Sequence, residues 1–392
     1  MKRKISFGAA IALMLIGILI TFQLTYSLVE NKYKSKLSEI MDAAIKYDDL
    51  SDLDTIVEKN YIYGVKKDKI SGDLLSGYVS SLGDRFSCLM SKETFETYSS
   101  LSGTASYFDL GIEFLPDKET GLLYVSGIYE ASPAAKCDIK FGDVLFKIDD
   151  TVLYGKSVYE AACVIRSAQK SESDIYLIRG DKIIKHTVER TPSDKPSLSY
   201  RFIGDILYAD VHDFNSTLTD VFKSAIASKA DGDISGVIFD LRGVHDDDLT
   251  AACELLDYIL PDGPAIRIDA ADGTSSEMHA SGEPFGKKIA VIVNAGTSGA
   301  GEAFAKALKA YGNAKVIGET TYGKNSLQKT FSLSDGSFLS LSFQKYALAT
   351  GGDDAAVHPD VPVKLSPDLS AKYFTLSIGE DTQLEAAVSV LK

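Results

Sequence analysis

The sequence predicts an α/β protein carried behind an apolar N-terminal helix, and three observations predict it. From Ile206 to Ile317, β-branched apolar runs alternate with stretches whose apolar residues recur at helical spacing. From Gly103 to Arg190, short strand-like runs surround a single helical stretch. At the start of the chain, Ile5–Leu28 is almost wholly apolar. A length of 392 residues is enough for two or three domains with cores of their own. The boundaries read from composition are 1–30, 31–102, 103–190, a linker at 191–199, and 200–392.

The basic cluster Lys2, Arg3, Lys4 precedes Ile5–Leu28, whose most polar interruption is Gln23. At about 1.5 Å per residue, a helix of this length spans a hydrocarbon core of roughly 30 Å. The run is long for the apolar part of a signal peptide, and no A-x-A-like cleavage site follows it. The reading is an uncleaved signal anchor in a cell membrane, crossing once, with Lys2–Lys4 cytoplasmic and the remaining domains extracytoplasmic. A cleaved signal peptide is the alternative, and Lys32, Lys34 and Lys36 weaken the charge asymmetry that sets orientation.

Asn31–Ser102 is helix-rich. Leu37, Ile40, Met41, Ala44 and Ile45 make one helical face, Leu53, Ile56 and Val57 a second, and Leu74, Leu75, Tyr78, Val79 and Leu82 a third. In the next stretch, Ile112–Leu115, Leu122–Ser126, Ile175–Arg179 and Lys185–Glu189 read as strands and Tyr159–Arg166 as a helix. Thr191–Ser199 is rich in Pro and Ser and reads as a linker. Beyond it come strands at Ile206–Asp210, Val237–Leu241 and Ala265–Ile268, with helices at Leu218–Ser228 and Leu249–Ile259. Asp269–Gly286 reads as a loop, and Asp335-Gly336 as the turn of a hairpin between Phe331–Leu333 and Phe338–Phe343.

Lys288–Gln328 carries the most chemistry. Ile289–Asn294 is a strand, Gly296 and Thr297 punctuate it, and Glu302–Tyr311 has helical spacing with Gly312 at its C′ position. A tight turn from a strand into a helix aims backbone N–H groups at one point, which suits an oxyanion or an anionic ligand. A short strand at Val316-Ile317 leads into a loop whose one basic group is Lys324.

The net charge of −14 argues against nucleic acid as a partner, because phosphate contacts need clustered Lys and Arg. The four cysteines, Cys88, Cys137, Cys163 and Cys253, have no metal or disulfide spacing and read as free, buried thiols. Asp246-Asp247-Asp248 lacks the His or Asp spacing of a metal site and reads as a solvated turn, so neither metal nor cofactor is expected.

Gly296, Thr297 and Glu302, followed by Tyr322, Gly323, Lys324 and Gln328, resemble the active-site pattern of the C-terminal processing (tail-specific) serine peptidases, roughly G-[ST]-A-S-A-x-E and then T-[FY]-G-K-x-x-x-Q. Leu110-Gly111-Ile112, Ser132-Pro133-Ala134-Ala135 and Gly142-Asp143-Val144-Leu145 resemble that family's PDZ domain. Ser81–Met90, Val357–Val363 and Glu380–Ala387 resemble its flanking elements, so the likeness runs through nearly all of Leu53–Leu391. The resemblance implies a ClpP/crotonase-like core with a preceding PDZ domain. It also implies a Ser/Lys dyad that hydrolyses peptide bonds near a protein C-terminus. It implies, further, that Lys324 is the base and Gln328 orients it, and that Phe108, Asp109, Leu110, Gly111 and Ile112 hold a peptide C-terminus by β-augmentation. Asp109 stands where the family has Gly, which implies an altered peptide preference; a PDZ domain that only packs on its neighbour is the alternative. In Ser81–Met90, Arg85 replaces the family's Pro, and the segment reads as a helical spacer.

Two departures set the functional question. The nucleophile position, three residues before Glu302, is Gly299, and Ser298 is its neighbour. Ser298 or Thr297 also fits the N-cap of the helix. In the oxyanion turn, Phe239-Asp240-Leu241-Arg242 is followed by Gly243, but Asp246-Asp247 replaces a Gly pair. His245 is the one histidine near this turn, without a Ser or Cys partner for a triad. Two readings follow. One is a degenerate peptidase that binds polypeptides or partner proteins through their C-termini. The other is an active serine endopeptidase using Ser298 with Lys324. Assembly into a homo-oligomer stays open.

Overall fold

The computed structural model describes residues 7–103, 108–166, 171–192, 196–229, 233–312, 314–352, 354–370 and 372–392. Lys2, Arg3, Lys4 and Ile5 therefore lie outside the described residues. The chain divides into two units, Met1–Leu74 and Leu75–Lys392.

In the first unit, α1 (Phe7–Lys46) runs unbroken for 40 residues and α2 (Asp48–Asn60) follows it. Within α1, Ile11–Leu37 is long and apolar enough to cross a membrane, and none of its most apolar part is buried. Helix α3 (Lys67–Ser80) leads into the second unit.

The second unit opens with β1 (Cys88–Met90) and α4 (Lys92–Gly103). A smaller domain follows. Its strands are β2 (Phe108–Asp109), β3 (Ile112–Pro116), β4 (Leu123–Ile128), β5 (Val144–Ile148), β6 (Thr151–Val152), β7 (Glu172–Arg179) and β8 (Lys182–Glu189), with α5 (Val158–Ile165) between β6 and β7. The antiparallel order is β3-β4-β5-β7-β8, which leaves β3 on an edge. Ser157 caps α5 in a reciprocal box with Glu160, so the helix starts where its sequence provides the acceptor. Leu110, Ile112, Val125, Leu145, Ala161 and Ile175 close this domain's core.

Strand β9 (Thr191–Pro192) pairs with β2, so the stretch read as a linker begins as strand. The large domain contains β10 (Leu198–Ile203), β11 (Ile206–Val211), α6 (Leu218–Ala227), β12 (Gly236–Asp240), β13 (His245–Asp246), α7 (Leu249–Ile259), β14 (Gly263–Ala270), β15 (Ser275–Ala280), β16 (Lys288–Val293), β17 (Ser298–Gly299), α8 (Ala300–Ala310), β18 (Ala314–Gly318), β19 (Ser326–Ser332), β20 (Phe338–Leu348), β21 (Val361–Pro362), α9 (Pro367–Ser370) and α10 (Thr382–Leu391).

Its main sheet has the order β10-β11-β12-β16-β18-β21 and is parallel except for the β10–β11 hairpin. Both faces are covered. Val237, Phe239, Ile289, Val291 and Val316 face the core formed with α6, α7 and α8. Ile238, Ala290, Ile292 and Ile317 face Leu384, Ala387 and Val388 of α10. Burial on both faces is why these strands read as continuous apolar runs rather than alternating ones. A second, antiparallel sheet joins β1, β20, β14 and β15, with β19 on β20.

One expectation is corrected here. Ser275–Ala280, inside the stretch read as a loop, is strand β15, paired with β14 from Gly263↔Ala280 to Asp269↔Ser275. Most of its side chains are exposed, so no apolar alternation marks it.

Candidate active site

Strand β16 delivers the chain into the turn Asn294–Gly299. Asn294 Oδ1 accepts the N–H groups of Gly243 and Gly296, each at 3.0 Å. Thr297 Oγ1 donates to Leu241 O at 2.7 Å and accepts Asn294 N–H at 3.1 Å. Thr297 therefore ties the turn to the end of the neighbouring strand and does not cap the helix. Ser298 does not cap it either: it lies in β17, opposite His245, and its N–H donates to Val244 O at 2.8 Å. The N-cap is Gly299, at φ 65°, ψ −126°, with its N–H on Glu302 Oε2 at 3.2 Å. A positive φ at a strand-to-helix turn is the strained elbow on which hydrolases set a nucleophile. Here the position has no side chain and no room for one, because a Cβ at 299 would stand 1.9 Å from Asp246 O and 2.9 Å from Asp247 Oδ1.

The Lys324 loop is fixed to the same turn. Burial pushes the Glu302 carboxyl up to about 7, against hydrogen bonds from Thr321, Gly323 and Lys324 that favour its charged form. Its Oε2 accepts Lys324 N–H at 2.8 Å as well as Gly299 N–H, and its Oε1 accepts Gly323 N–H at 2.5 Å and the Thr321 hydroxyl. Tyr346 OH donates to Gly299 O at 3.0 Å and to Lys324 O, which clamps turn and loop together.

Lys324 Nζ donates to both carboxylate oxygens of Asp247, at 2.7 and 2.5 Å, and lies 4.3 Å from the centre of the Phe86 ring. Its side chain is 7% exposed, against 37% for Asp247. Among the described residues no hydrogen bond joins Lys324 to Ser298. The partner of the amine is thus the Asp247 carboxylate and not the hydroxyl that a Ser/Lys dyad requires.

Among the described residues no hydrogen bond joins Gln328 to Lys324. Gln328 Nε2 donates to Ser342 Oγ at 2.8 Å and Ser326 Oγ at 3.3 Å, while its buried Oε1 has no partner. Ser342 Oγ in turn donates to Asp84 Oδ2 at 2.5 Å. Burial acts to raise the Asp84 carboxyl, but hydrogen bonds from Ser342, Ser87 and Phe86 N–H, with the charge of Lys324, hold it below its usual value. Asp84–Ser87, read as a helical spacer, thus lies against Lys324 through the Phe86 ring and the Asp84 carboxylate. Arg85 donates to Lys118 O at 3.1 Å and to Glu119 O, fastening this wall to the β3–β4 hairpin.

The acidic turn is exposed to solvent at Asp247 and Asp248, yet each of its carboxylates has a protein partner. Asp248 caps α7 by accepting Ala251 N–H at 3.0 Å, and Asp247 holds Lys324. Asp246 Oδ2 accepts Phe214 N–H at 2.9 Å, whereas its buried Oδ1 has no partner. Burial, reinforced by Asp213, pushes the Asp246 carboxyl well above its usual value. Gly243 has φ 76°, and its N–H is spent on Asn294; Gly299 N–H is spent on Glu302. Two main-chain donors of the turn are thus occupied internally. Among the described residues no group of three or more His, Cys, Asp and Glu is placed to hold a metal ion.

The smaller domain leans on this region. A Cβ at Gly243 would stand 3.4 Å from Gly127 Cα and Ser126 O. His245 Nε2 lies 3.5 Å from Glu113 Oε2, and Tyr322 OH donates to Pro116 O at 2.8 Å. Phe108 and Asp109 form β2, Leu110 is fully buried, Gly111 turns at φ 75°, and Ile112 opens β3. Asp247, Glu302, Phe86, Asp84 and Tyr346 complete the Lys324 centre. Of these, sequence spacing flags Glu302, and the Ser81–Met90 element contains Asp84 and Phe86. Nothing local marks Asp247 as the partner of a lysine 77 residues away.

Comparison with known proteins agrees with this architecture. The model of "Peptidase family S41" matches residues 205–363, which hold both the Gly299 turn and the Lys324 loop. Carboxy-terminal processing protease CtpA of Bacillus subtilis (strain 168) is 27% identical over 361 residues, covering 88% of this chain and 76% of that protein. A probable CtpA-like serine protease of Staphylococcus aureus (strain bovine RF122 / ET3-1) is 25% identical over 335 residues, covering 84% of this chain and 66% of that protein. The structure of a photosystem II D1 C-terminal processing protease matches with a TM-score of 0.67 at 22% identity, over 80% of this chain and 87% of that one, a likeness of fold. Residues 205–363, which hold the Gly299 turn and the Lys324 loop, thus match the S41 peptidase family model, and the chain is similar over most of its length to carboxy-terminal processing proteases.

Proposed function

We propose that this chain uses the peptidase frame to bind polypeptides and does not cleave them. The observation that carries the reading is that the space of a nucleophile at Gly299 is filled by Asp246 O, while Lys324 is held by Asp247. A serine-type hydrolase needs a hydroxyl within hydrogen-bond reach of its base and free donors for the oxyanion. Here Ser298 is bound into β17, Lys324 is a donor to a carboxylate, and the Gly243 and Gly299 N–H groups are spent.

The smaller domain is taken as a PDZ domain beside a ClpP/crotonase-like core. An edge strand that begins at a glycine turn supports capture of an extended peptide by β-augmentation. The apolar stretch Ile11–Leu37 supports a single-pass anchor in the cell membrane, with the basic residues Lys2–Lys4 cytoplasmic and the domains outside. The partners are then polypeptides met on the extracytoplasmic side.

The test is peptide-bond cleavage by the full chain in detergent micelles, using a quenched peptide pool, with Lys324→Ala and Ser298→Ala beside the wild type. No turnover above the variants is expected. Wild-type turnover abolished in both variants overturns the reading and assigns catalysis to Ser298 with Lys324.

A further inference from the structure

The loop that opens β3 carries an acid where a peptide end would seat. Gly111 turns at φ 75°, and a Cβ there would stand 1.9 Å from Ser132 Cβ, so the turn is closed to any other residue. Its carbonyl accepts Tyr129 N–H at 3.0 Å and lies 3.4 Å from Ser132 Oγ. Its N–H, the donor at the mouth of the edge strand, goes to Asp109 Oδ1 at 3.0 Å. Asp109 is held in place by pairing of β2 with Thr191 of β9, and its other oxygen lies 4.0 Å from Arg166 Nε. Beyond this loop β3 has β4 on one side, and no strand pairs with its other edge among the described residues. The far end of the edge is closed where Tyr322 OH takes Pro116 O.

A backbone loop that presents N–H groups next to a free strand edge is the usual arrangement for capturing a chain end: the loop takes the terminal carboxylate and the edge takes the extended backbone. Here a carboxylate already occupies the loop. We propose that Asp109 is a built-in substitute for a terminal carboxylate, so that the edge of β3 takes an internal, extended segment of a partner protein and discriminates against free C-termini. The inference rests on the peptide-binding reading above and narrows its ligand class. An incoming carboxylate meets two obstacles. The Gly111 N–H is already engaged, and a like charge lies within hydrogen-bond distance of the same donor. An internal segment brings no charge to the loop and pairs through its main chain alone.

The experiment measures binding of two fluorescent decapeptide pools of the same randomised composition, one with free C-terminal carboxylates and one amidated, to the full chain in detergent micelles. Wild type is expected to hold the amidated pool at least as tightly as the free acids. Asp109→Ala frees the Gly111 donor and leaves Arg166 beside it, so the ratio of acid to amide affinity is expected to rise about tenfold or more. Asp109→Asn, which keeps an acceptor for Gly111 without the charge, is expected to fall between the two. A wild-type preference for free acids, or a ratio unmoved in Asp109→Ala, overturns the inference and leaves peptide binding standing. Failure of wild type and both variants to hold either pool overturns the peptide-binding reading and this inference with it.

Discussion

The turn Asn294–Gly299 and the loop Thr321–Gln328 meet at one carboxylate, yet they have fared differently. In the turn, Gly299 takes a positive φ between strand and helix but carries no side chain, and the space a Cβ would need is filled by Asp246 O. In the loop, the side chain is present, but Lys324 has a carboxylate for a partner. What both retain is the set of groups that performs no chemistry: Asn294, Thr297, Glu302 and Tyr346 satisfy buried donors and acceptors and hold the main chain. The frame of a site is maintained by buried hydrogen bonds, whose loss is costly whatever the function.

The most direct way to break this comparison is to give the turn its side chain back. Gly299→Ser must hold a residue with a Cβ at φ 65°, ψ −126° and displace Asp246 O from a contact of 1.9 Å. A loss of about 4 kcal/mol in unfolding free energy is expected, from backbone strain plus forced movement of the β13–β17 pair. No turnover of the quenched peptide pool is expected. Urea unfolding measures the first outcome. A variant as stable as wild type that also cleaves peptides would mean the turn is an open elbow lacking only its hydroxyl.

The shared carboxylate gives the next effect. Burial holds the Glu302 carboxyl near 7 against an ordinary value of 4.5, so the folded state binds a proton more tightly than the unfolded chain does. Stability from this group is therefore fully present below pH 4.5 and is lost as pH rises through about 7. Across that window the loss is on the order of 3 kcal/mol. Asp246, also raised by burial, adds a slope of the same sign. The informative quantity is thus the difference between urea midpoints of wild type and Glu302→Gln at successive pH values. Parallel curves would remove Glu302 as the titrating hub of turn and loop.

Much of the frame was legible in the sequence, for reasons that separate the two regions again. Strand β16 and helix α8 announce themselves through an apolar β-branched run and helical spacing, because both are buried by the main sheet and its helices. The positive-φ Gly312 is read from helical spacing, and Glu302 and Lys324 from their match to the family pattern, since each lies in or beside its own element. The partner of Lys324 was not legible. Asp247 reads as part of a solvated acidic turn, and only the fold brings residues 247 and 324 together. Gln328 fails for the same reason. Its spacing from Lys324 is right, but β19 lies against β20, and Ser342 takes its amide. Ser298 and Thr297 have the chemistry of a helix cap, yet pairing with His245 and the Leu241 carbonyl claims them first. Strand β15 escapes notice because its side chains face solvent and its order comes from the hydrogen bonds of β14.

The smallest effect sharpens the comparison on the side of the loop. If Lys324 is now a structural cation, the two members of its pair are not equivalent. The Lys324 side chain is 7% exposed and stands over the Phe86 ring, while Asp247 is 37% exposed. Asp247→Ala removes the carboxylate that Lys324 Nζ donates to among the described residues, and a loss of about 2 kcal/mol is expected. Lys324→Met leaves a carboxylate that water reaches and puts an apolar chain against Phe86, so its loss is expected to stay below about 1 kcal/mol. Urea unfolding of both variants at pH 7 measures the asymmetry. A base poised for catalysis predicts the reverse order, because it is built to do without a carboxylate and Asp247 would then be incidental. Equal losses, or a larger loss in Lys324→Met, would therefore return Lys324 from the frame to the chemistry.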